Sequence, residues 1–194
     1  ALVYYIQTLK LATDQKLYED QAFTLNNIGV IFYRLDNPKE ALSYYEKAIE
    51  IKKREGIKEG LELNLLNAAY CKNDLGDFET AKNTARELIT VCENTGNCNN
   101  SIIADAHFQL AYGYELTNNQ DLAIKEFTLC LDYLKGLRNL HIYSSTLYHL
   151  AKLHLDKDNN LALEYLEQAE STATEFKVKR VLRDIYELYS EYYY

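Results

Sequence analysis

No methionine, a single proline and no apolar run longer than a few residues mark this 194-residue chain. Without a stretch of about 20 apolar residues nothing in it reads as a transmembrane helix. The first residues also lack the basic segment of a secretory signal. A chain with no methionine at its start reads as part of a longer or processed protein. Basic residues are outnumbered, Lys and Arg totalling 21 against 29 Asp and Glu, for a formal charge of −8 and a pI near 5.1. Nucleic-acid affinity is built from clustered cations, so no nucleic acid is expected as ligand. The cations that are present gather at helix ends such as "IKKREG", where they complement the helix dipole.

Chemistry-bearing motifs are equally scarce. Cysteines stand at 71, 92, 98 and 130 with no CxxC pair, so zinc-ligand spacing is missing. Cys71 and Cys130 fall inside helical patterns and read as core fillers. Cys92 and Cys98 flank "ENTGN" at a helix end, which leaves open whether they are bonded and in which redox compartment the chain sits. There is no HExxH, no GxxxxGK[ST] and no G-x-S-x-G, the motifs that would hold a metal, a phosphate or an elbow nucleophile. His107 and His154 read as core residues, and His141 opens a helix. No cofactor, metal or catalytic residue is expected.

What the chain does have is an internal repeat. "DNPKEALSYYEKA", "GDFETAKNTAREL", "NNQDLAIKEFTLC" and "DNNLALEYLEQA" place Ala41, Ala81, Ala123 and Ala162 at nearly constant spacing. The same step taken back from Ala41 reaches Ala1, so the chain opens inside a unit. Four residues before each alanine stand Asn37, Asp77, Asn119 and Asp158, all favoured N-caps. Pro38 follows Asn37 at the first helical position, where a missing N–H costs nothing. Gly56, Gly96 and Gly136 recur at one constant interval as glycines past the ends of helices. Upstream of each cap a second helical pattern carries a small residue, Gly29, Ala69, Ala111 or Ala151, as a point of close helix approach.

Each unit is therefore a helical hairpin, helix A then helix B. One hairpin cannot bury its apolar face alone, so neighbours must stack. The pattern predicts helices at 1–14, 20–35, 38–54, 58–75, 78–95, 100–117, 120–135, 139–156, 159–176 and 178–193, with no strand and no linker. The expected architecture is all-α: a single domain over 1–194, a right-handed superhelical solenoid of antiparallel hairpins, with about four full units and half-units at both ends.

"LNNIGVIFYRLDNPKEALSYYEKAIEI" resembles a tetratricopeptide repeat, with Ile28, Gly29, Phe32, Leu35, Ala41, Tyr45 and Ala48 at its signature positions. The resemblance recurs at Leu110, Ala111, Tyr114, Ala123, Phe127 and Cys130, and at Leu150, Ala151, His154, Ala162, Leu166 and Ala169. The second unit departs from it, with Lys72 in place of an aromatic and Ala85 in place of a large residue, and the turn of the fourth is one residue short. Units of this length resemble the long-repeat branch found in kinesin light chain and in bacterial sensor and regulator proteins. The resemblance implies that A helices line a concave surface and that a protein or peptide is the partner.

Two positions before each small residue stand Asn27, Asn67, Gln109 and His149. Each can both donate and accept a hydrogen bond. Two roles stay open for this ladder: bonding the backbone of an extended guest, or tying neighbouring A helices in register. The same helix face carries Asn26, Val30 and Tyr33; Leu66, Tyr70 and Asn73; Phe108, Tyr112 and Glu115; Tyr148, Lys152 and Leu155. Spacings of four then three keep each trio on one side. Phe32, Tyr45, Tyr114 and Phe127 read as core; Tyr70, Phe108, Tyr112 and Tyr148 read as groove lining. Arg34 and Lys152 stand as isolated cations, so the clamp by which some relatives hold a C-terminal carboxylate is not reproduced.

The expected function is that of a protein- or peptide-binding module that takes an extended peptide or a helix in its concave groove, as the sensory or scaffold region of a larger signalling or regulatory protein. The alternative is a phosphatase-like or otherwise catalytic helical-repeat regulator, for which no residue can be nominated. No membrane contact is expected, and the location is expected to be cytoplasmic, with a periplasmic sensor region as the other option. Tyr186, Tyr189 and Tyr193 form an expected bare edge, to be covered by further repeats or by a second copy in a homodimer.

Overall fold

The computed structural model describes residues 1–96, 98–137, 140–155 and 157–193, leaving aside the side chains of 140, 191 and 193. Among them are ten α-helices and no strand: α1 (Leu2–Asp14), α2 (Tyr18–Arg34), α3 (Pro38–Glu55), α4 (Leu61–Asp74), α5 (Phe78–Thr95), α6 (Asn100–Leu116), α7 (Gln120–Leu134), α8 (Leu140–His154), α9 (Asn159–Glu175) and α10 (Lys179–Tyr193). The fold is the all-α hairpin repeat that the periodicity predicts. By contacts the chain divides into two compact units, Ala1–Cys98 and Asn99–Tyr194. In the first, α1 to α5 pack each on the next; in the second, α6 to α9 do the same and α10 lies against α9 and α8.

The small residue of each A helix sets the hairpin packing. Gly29 is buried, and a Cβ added to it would come within 2.6 Å of the Tyr45 ring of α3. Ala69, Ala111 and Ala151 take the same position and are fully buried. Tyr45 and Phe127 are core residues as expected, whereas Phe32 and Tyr114 are only half-buried. Phe32 stacks on Tyr44 of α3 at 5.4 Å.

The caps divide. Asn37 accepts from Glu40 N–H and Asp158 from Leu161 N–H through their side chains. Asp77 and Asn119 make no such bond. A nearby threonine competes in each case: Asp77 accepts from Thr80 Oγ1 at 2.6 Å, and the Asn119 amide donates to Thr117 O and Oγ1. Gly56 and Gly96 end α3 and α5 in the left-handed conformation. At α7 the C-cap is Lys135, and Gly136 comes one residue later with φ +77°. Helix α4 opens at Leu61 rather than 58, because residues 56–60 form a connection in which Lys52 Nζ donates to Glu59 O at 2.6 Å.

Both departures of the second repeat are accommodated. Lys72, where an aromatic is usual, places its ammonium 3.1 Å from Thr84 Oγ1 of α5 and 3.3 Å from Glu46 Oε1 of α3. A polar tie between the two B helices thus replaces ring packing, and Ala85 is fully buried on α5. The short turn of the fourth repeat and the predicted limits at 139 and 156 involve positions outside the described residues. On α10, Tyr186 is exposed, but Tyr189 packs against the core and donates to Glu170 Oε2 at 3.0 Å. The Tyr193 side chain lies outside the described residues.

Cys92 and Cys98 are bonded, and Cys71 and Cys130 are free and buried. Burial pushes both free thiols up to about 12, which keeps them protonated and unreactive.

Gly29→Ala sets about 1 kcal/mol of helix propensity gained against about 1–3 kcal/mol of overpacking on a ring that is 2% exposed and cannot retreat. Urea unfolding should show a net loss of stability, and the same change in a Tyr45→Leu background should be neutral or stabilising. Stabilisation by Gly29→Ala alone would contradict this packing.

Candidate functional site

In unit 1 the candidate residues lie along the outer stripes of α2 and α4, and a polar seam joins the two helices. Asn26 Oδ1 accepts from Asn64 Nδ2 at 2.9 Å and from Asn67 Nδ2 at 3.1 Å. Two turns further along, the Tyr33 hydroxyl donates to Asp74 Oδ2 at 2.8 Å. Burial, reinforced by that bond to a carboxylate, raises the Tyr33 phenol above its ordinary range. Asn64 Oδ1 is buried without a hydrogen-bond partner. Asn67 thus does what the register reading proposed, but with only its NH₂. Asn26 spends only its oxygen in the seam. Its NH₂, and the oxygen of half-buried Asn67, stay available at the surface side. Asn27, Val30 and Tyr70 are half-buried, while Leu66 and Asn73 are buried.

Two exposed residues on these stripes escape the trios. Phe23 is 64% exposed and Leu63 45%. Each stands six residues before the small residue of its helix, Gly29 or Ala69, and three or four before the amides, which puts it on the same face. The equivalent positions in unit 2 are Asp105 and Ser145. The signal was in the sequence: a large apolar residue in phase with the polar stripe and out of phase with the core.

Unit 2 builds its A-to-A contact differently. The His149 ring of α8 stacks on Phe127 of α7 at 5.1 Å and meets Phe108, Tyr112 and Tyr148 edge-on at 5.2–5.7 Å. Its Nδ1 lies 2.7 Å from Glu115 Oε2 of α6, an ion-pair distance, and both atoms are buried. Lys152 is not isolated: its Nζ donates to Glu115 Oε1 at 2.9 Å. Burial pushes the Glu115 carboxyl up, but His149 and Lys152 together outweigh it and leave the group below its usual range. The same pairing raises Lys152 against the opposing effect of its own burial. Gln109 is 2% exposed and closed off from solvent. Phe108, Tyr112 and Tyr148 are half-buried, so their outer edges are what this face offers. His107, on the other side of α6, is buried and pairs with Glu126 at 2.7 Å.

Among the described residues no group of three His, Cys, Asp or Glu is placed to hold a metal, and no helix is long and apolar enough to cross a membrane. The site consists of hydrogen-bonding amides, aromatic edges and apolar side chains, a chemistry of recognition.

The hairpin repeat and these stripes define a class of helical-repeat protein. Residues 1–54 match the family model of the tetratricopeptide repeat, and the described chain has the fold of tetratricopeptide proteins. No curated protein matches the sequence. Among solved structures, BtubC (BKLC) from P. vanneervenii is similar with a TM-score of 0.73 at 16% identity, covering 82% of this chain and 66% of that one. The Rap conjugation gene regulator of the plasmid pLS20, in complex with the Phr* peptide, gives 0.73 at 16% identity, covering 98% and 58%. The STAND protein with a tetratricopeptide repeat sensor, PH0952 from Pyrococcus horikoshii, gives 0.77 at 18% identity, covering 96% and 29%. At such identities the similarity carries the fold alone, and the chain spans two thirds or less of each of these proteins.

Because folding lowers the Glu115 pKa, its contribution to stability is complete above the unfolded carboxyl value of about 4.3 and is lost as pH falls through the folded value. Glu115→Gln should therefore cost about 1–3 kcal/mol at pH 7, and this deficit should shrink below pH 4. Urea unfolding at both pH values checks it; an equal deficit at both would contradict the pairing.

Proposed function

We propose that the chain is a recognition module that binds an extended protein or peptide segment on its A-helix faces, as the sensory or scaffold part of a larger signalling protein. The observation that carries this reading is the unit 1 stripe, where exposed Phe23 and Leu63 flank amides with hydrogen-bonding groups to spare. An extended guest has one N–H and one C=O per residue to satisfy. The Asn67 oxygen suits the first, and the Asn26 and Asn27 NH₂ groups suit the second. Phe23 and Leu63 suit a large apolar side chain of the guest, since aromatic and aliphatic anchors beside satisfied polar groups carry most interface energy. Unit 2, taken by itself, presents the edges of Phe108, Tyr112 and Tyr148 and the half-exposed Lys152. Of the positions expected on this face, Val30, Tyr33 and Tyr70 fit contact; buried Leu66, Asn73 and Gln109 fit support of the neighbours that make it. The Rap protein seen with the Phr* peptide lends this reading support at the level of the fold.

Peptides selected from a displayed random library should carry a large apolar residue. Phe23→Ala and Asn27→Ala should each weaken binding about tenfold by calorimetry while the melting temperature stays within a degree or two of the parent. Unchanged affinity in both variants would refute this surface.

A further inference from the structure

In α1, α3 and α9 one position, recurring in phase with the repeat, fastens the connection to the next A helix. Ala12 O accepts from Leu17 N–H, Lys52 O from Ile57 N–H and Ala173 O from Val178 N–H, each at 2.8 Å. At Lys52 the side chain adds a second fastening, through Nζ to Glu59 O at 2.6 Å. Cys92 holds the same place in α5, one repeat after Lys52. Its side chain also crosses to the connection, but covalently, in the disulfide to Cys98. The next residue, Asn99, begins the cap of α6: its Oδ1 accepts from Ile102 N–H at 3.0 Å and its backbone O from Ile103 N–H at 3.3 Å. A fastening that is a hydrogen bond in one connection is therefore a reducible bond in the next, directly beside a helix start.

The two sulfurs differ in access. Cys92 is 4% exposed, while Cys98 is only half-buried. The remaining cysteines are buried and held protonated, so among the described residues this bridge is where thiol chemistry can enter.

We propose that the Cys92–Cys98 bridge is a thiol–disulfide exchange site, opened at Cys98 by a dithiol reductant, and that its opening loosens the Asn99 cap and the first turn of α6. A thiolate of the reductant attacks Cys98 Sγ; the Cys92–Cys98 bond breaks, and its electron pair leaves on Cys92 Sγ, which takes a proton. The second thiolate of the reductant then attacks its partner sulfur in the mixed disulfide. Cys98 Sγ leaves, takes the second proton, and the reductant departs as a disulfide, two electrons having passed to the protein. The Lys52 fastening contains no sulfur and is untouched. The proposal is independent of which peptide the module binds.

Thiol counting, adduct mapping with glutathione, and amide hydrogen exchange before and after a dithiol reductant test it on the whole chain. Protein purified without reductant should show two thiols when denatured, Cys71 and Cys130, and glutathione should add first to Cys98. After reduction the Ile102 and Ile103 amides should exchange roughly tenfold faster, while those of Ile57 and Leu61 keep their rates. The Cys92→Ser/Cys98→Ser variant should show the faster rates with or without reductant; if it does not fold, the reduced parent alone decides. Four thiols at the outset, a first adduct on Cys92, unchanged Ile102 and Ile103 exchange, or equal acceleration at both connections would each overturn the proposal.

Discussion

The close approach of each A helix to its B helix is the constraint on which the rest depends. With no room for a Cβ at Gly29 against Tyr45, and only a methyl at Ala69, Ala111 and Ala151, one face of each of α2, α4, α6 and α8 is committed to its hairpin partner. The remaining arc divides among the preceding B helix, the neighbouring A helix of the same unit and solvent. A one-residue slip would turn Asn27 or Phe23 by about 100° around the helix, from the outer stripe toward the core. The geometry of the candidate site is thus a by-product of packing on the opposite side of the same helices.

The two units meet this constraint with different chemistry between A helices. In unit 1 the contact is made of amides and a phenol, and an amide that donates to one neighbour retains an acceptor for another. In unit 2 it is a histidine enclosed by four rings, with a carboxylate shared between His149 and Lys152. A buried carboxylate of this kind is held by its partners and is costly to leave alone. The unit 1 face therefore has spare hydrogen-bonding capacity, and the unit 2 face mainly aromatic edges.

The hairpins were legible because they rest on local signals: the regular recurrence of alanines, the single proline after Asn37, and the glycines past α3 and α5. What stayed hidden depended on contacts between helices or on local competition. Lys152 read as isolated because its partner, Glu115, is 37 positions away on another helix. Asp77 and Asn119 read as caps, yet Thr80 and Thr117 capture their side chains, since short polar side chains have several nearby partners to choose from. The amide ladder could be read as a set of equivalent helix positions, but whether an amide faces inward or outward depends on its neighbours: Asn67 found Asn26, and Gln109 closed off completely. Phe23 and Leu63 were passed over because an apolar residue near a helix start is ordinarily core.

The claim at the centre is that the unit 1 seam holds its amides in a fixed orientation and keeps part of their capacity for a guest. Side-chain amide resonances of Asn26, Asn27, Asn64 and Asn67, followed by hydrogen exchange in the free protein and with a bound peptide, test it directly. The account predicts slow exchange of the Asn64 and Asn67 NH₂ groups throughout, and slow exchange of the Asn26 and Asn27 NH₂ groups only in the complex. Rapid exchange at Asn64 and Asn67 in the free protein, or no response of Asn26 and Asn27 to the peptide, would contradict it.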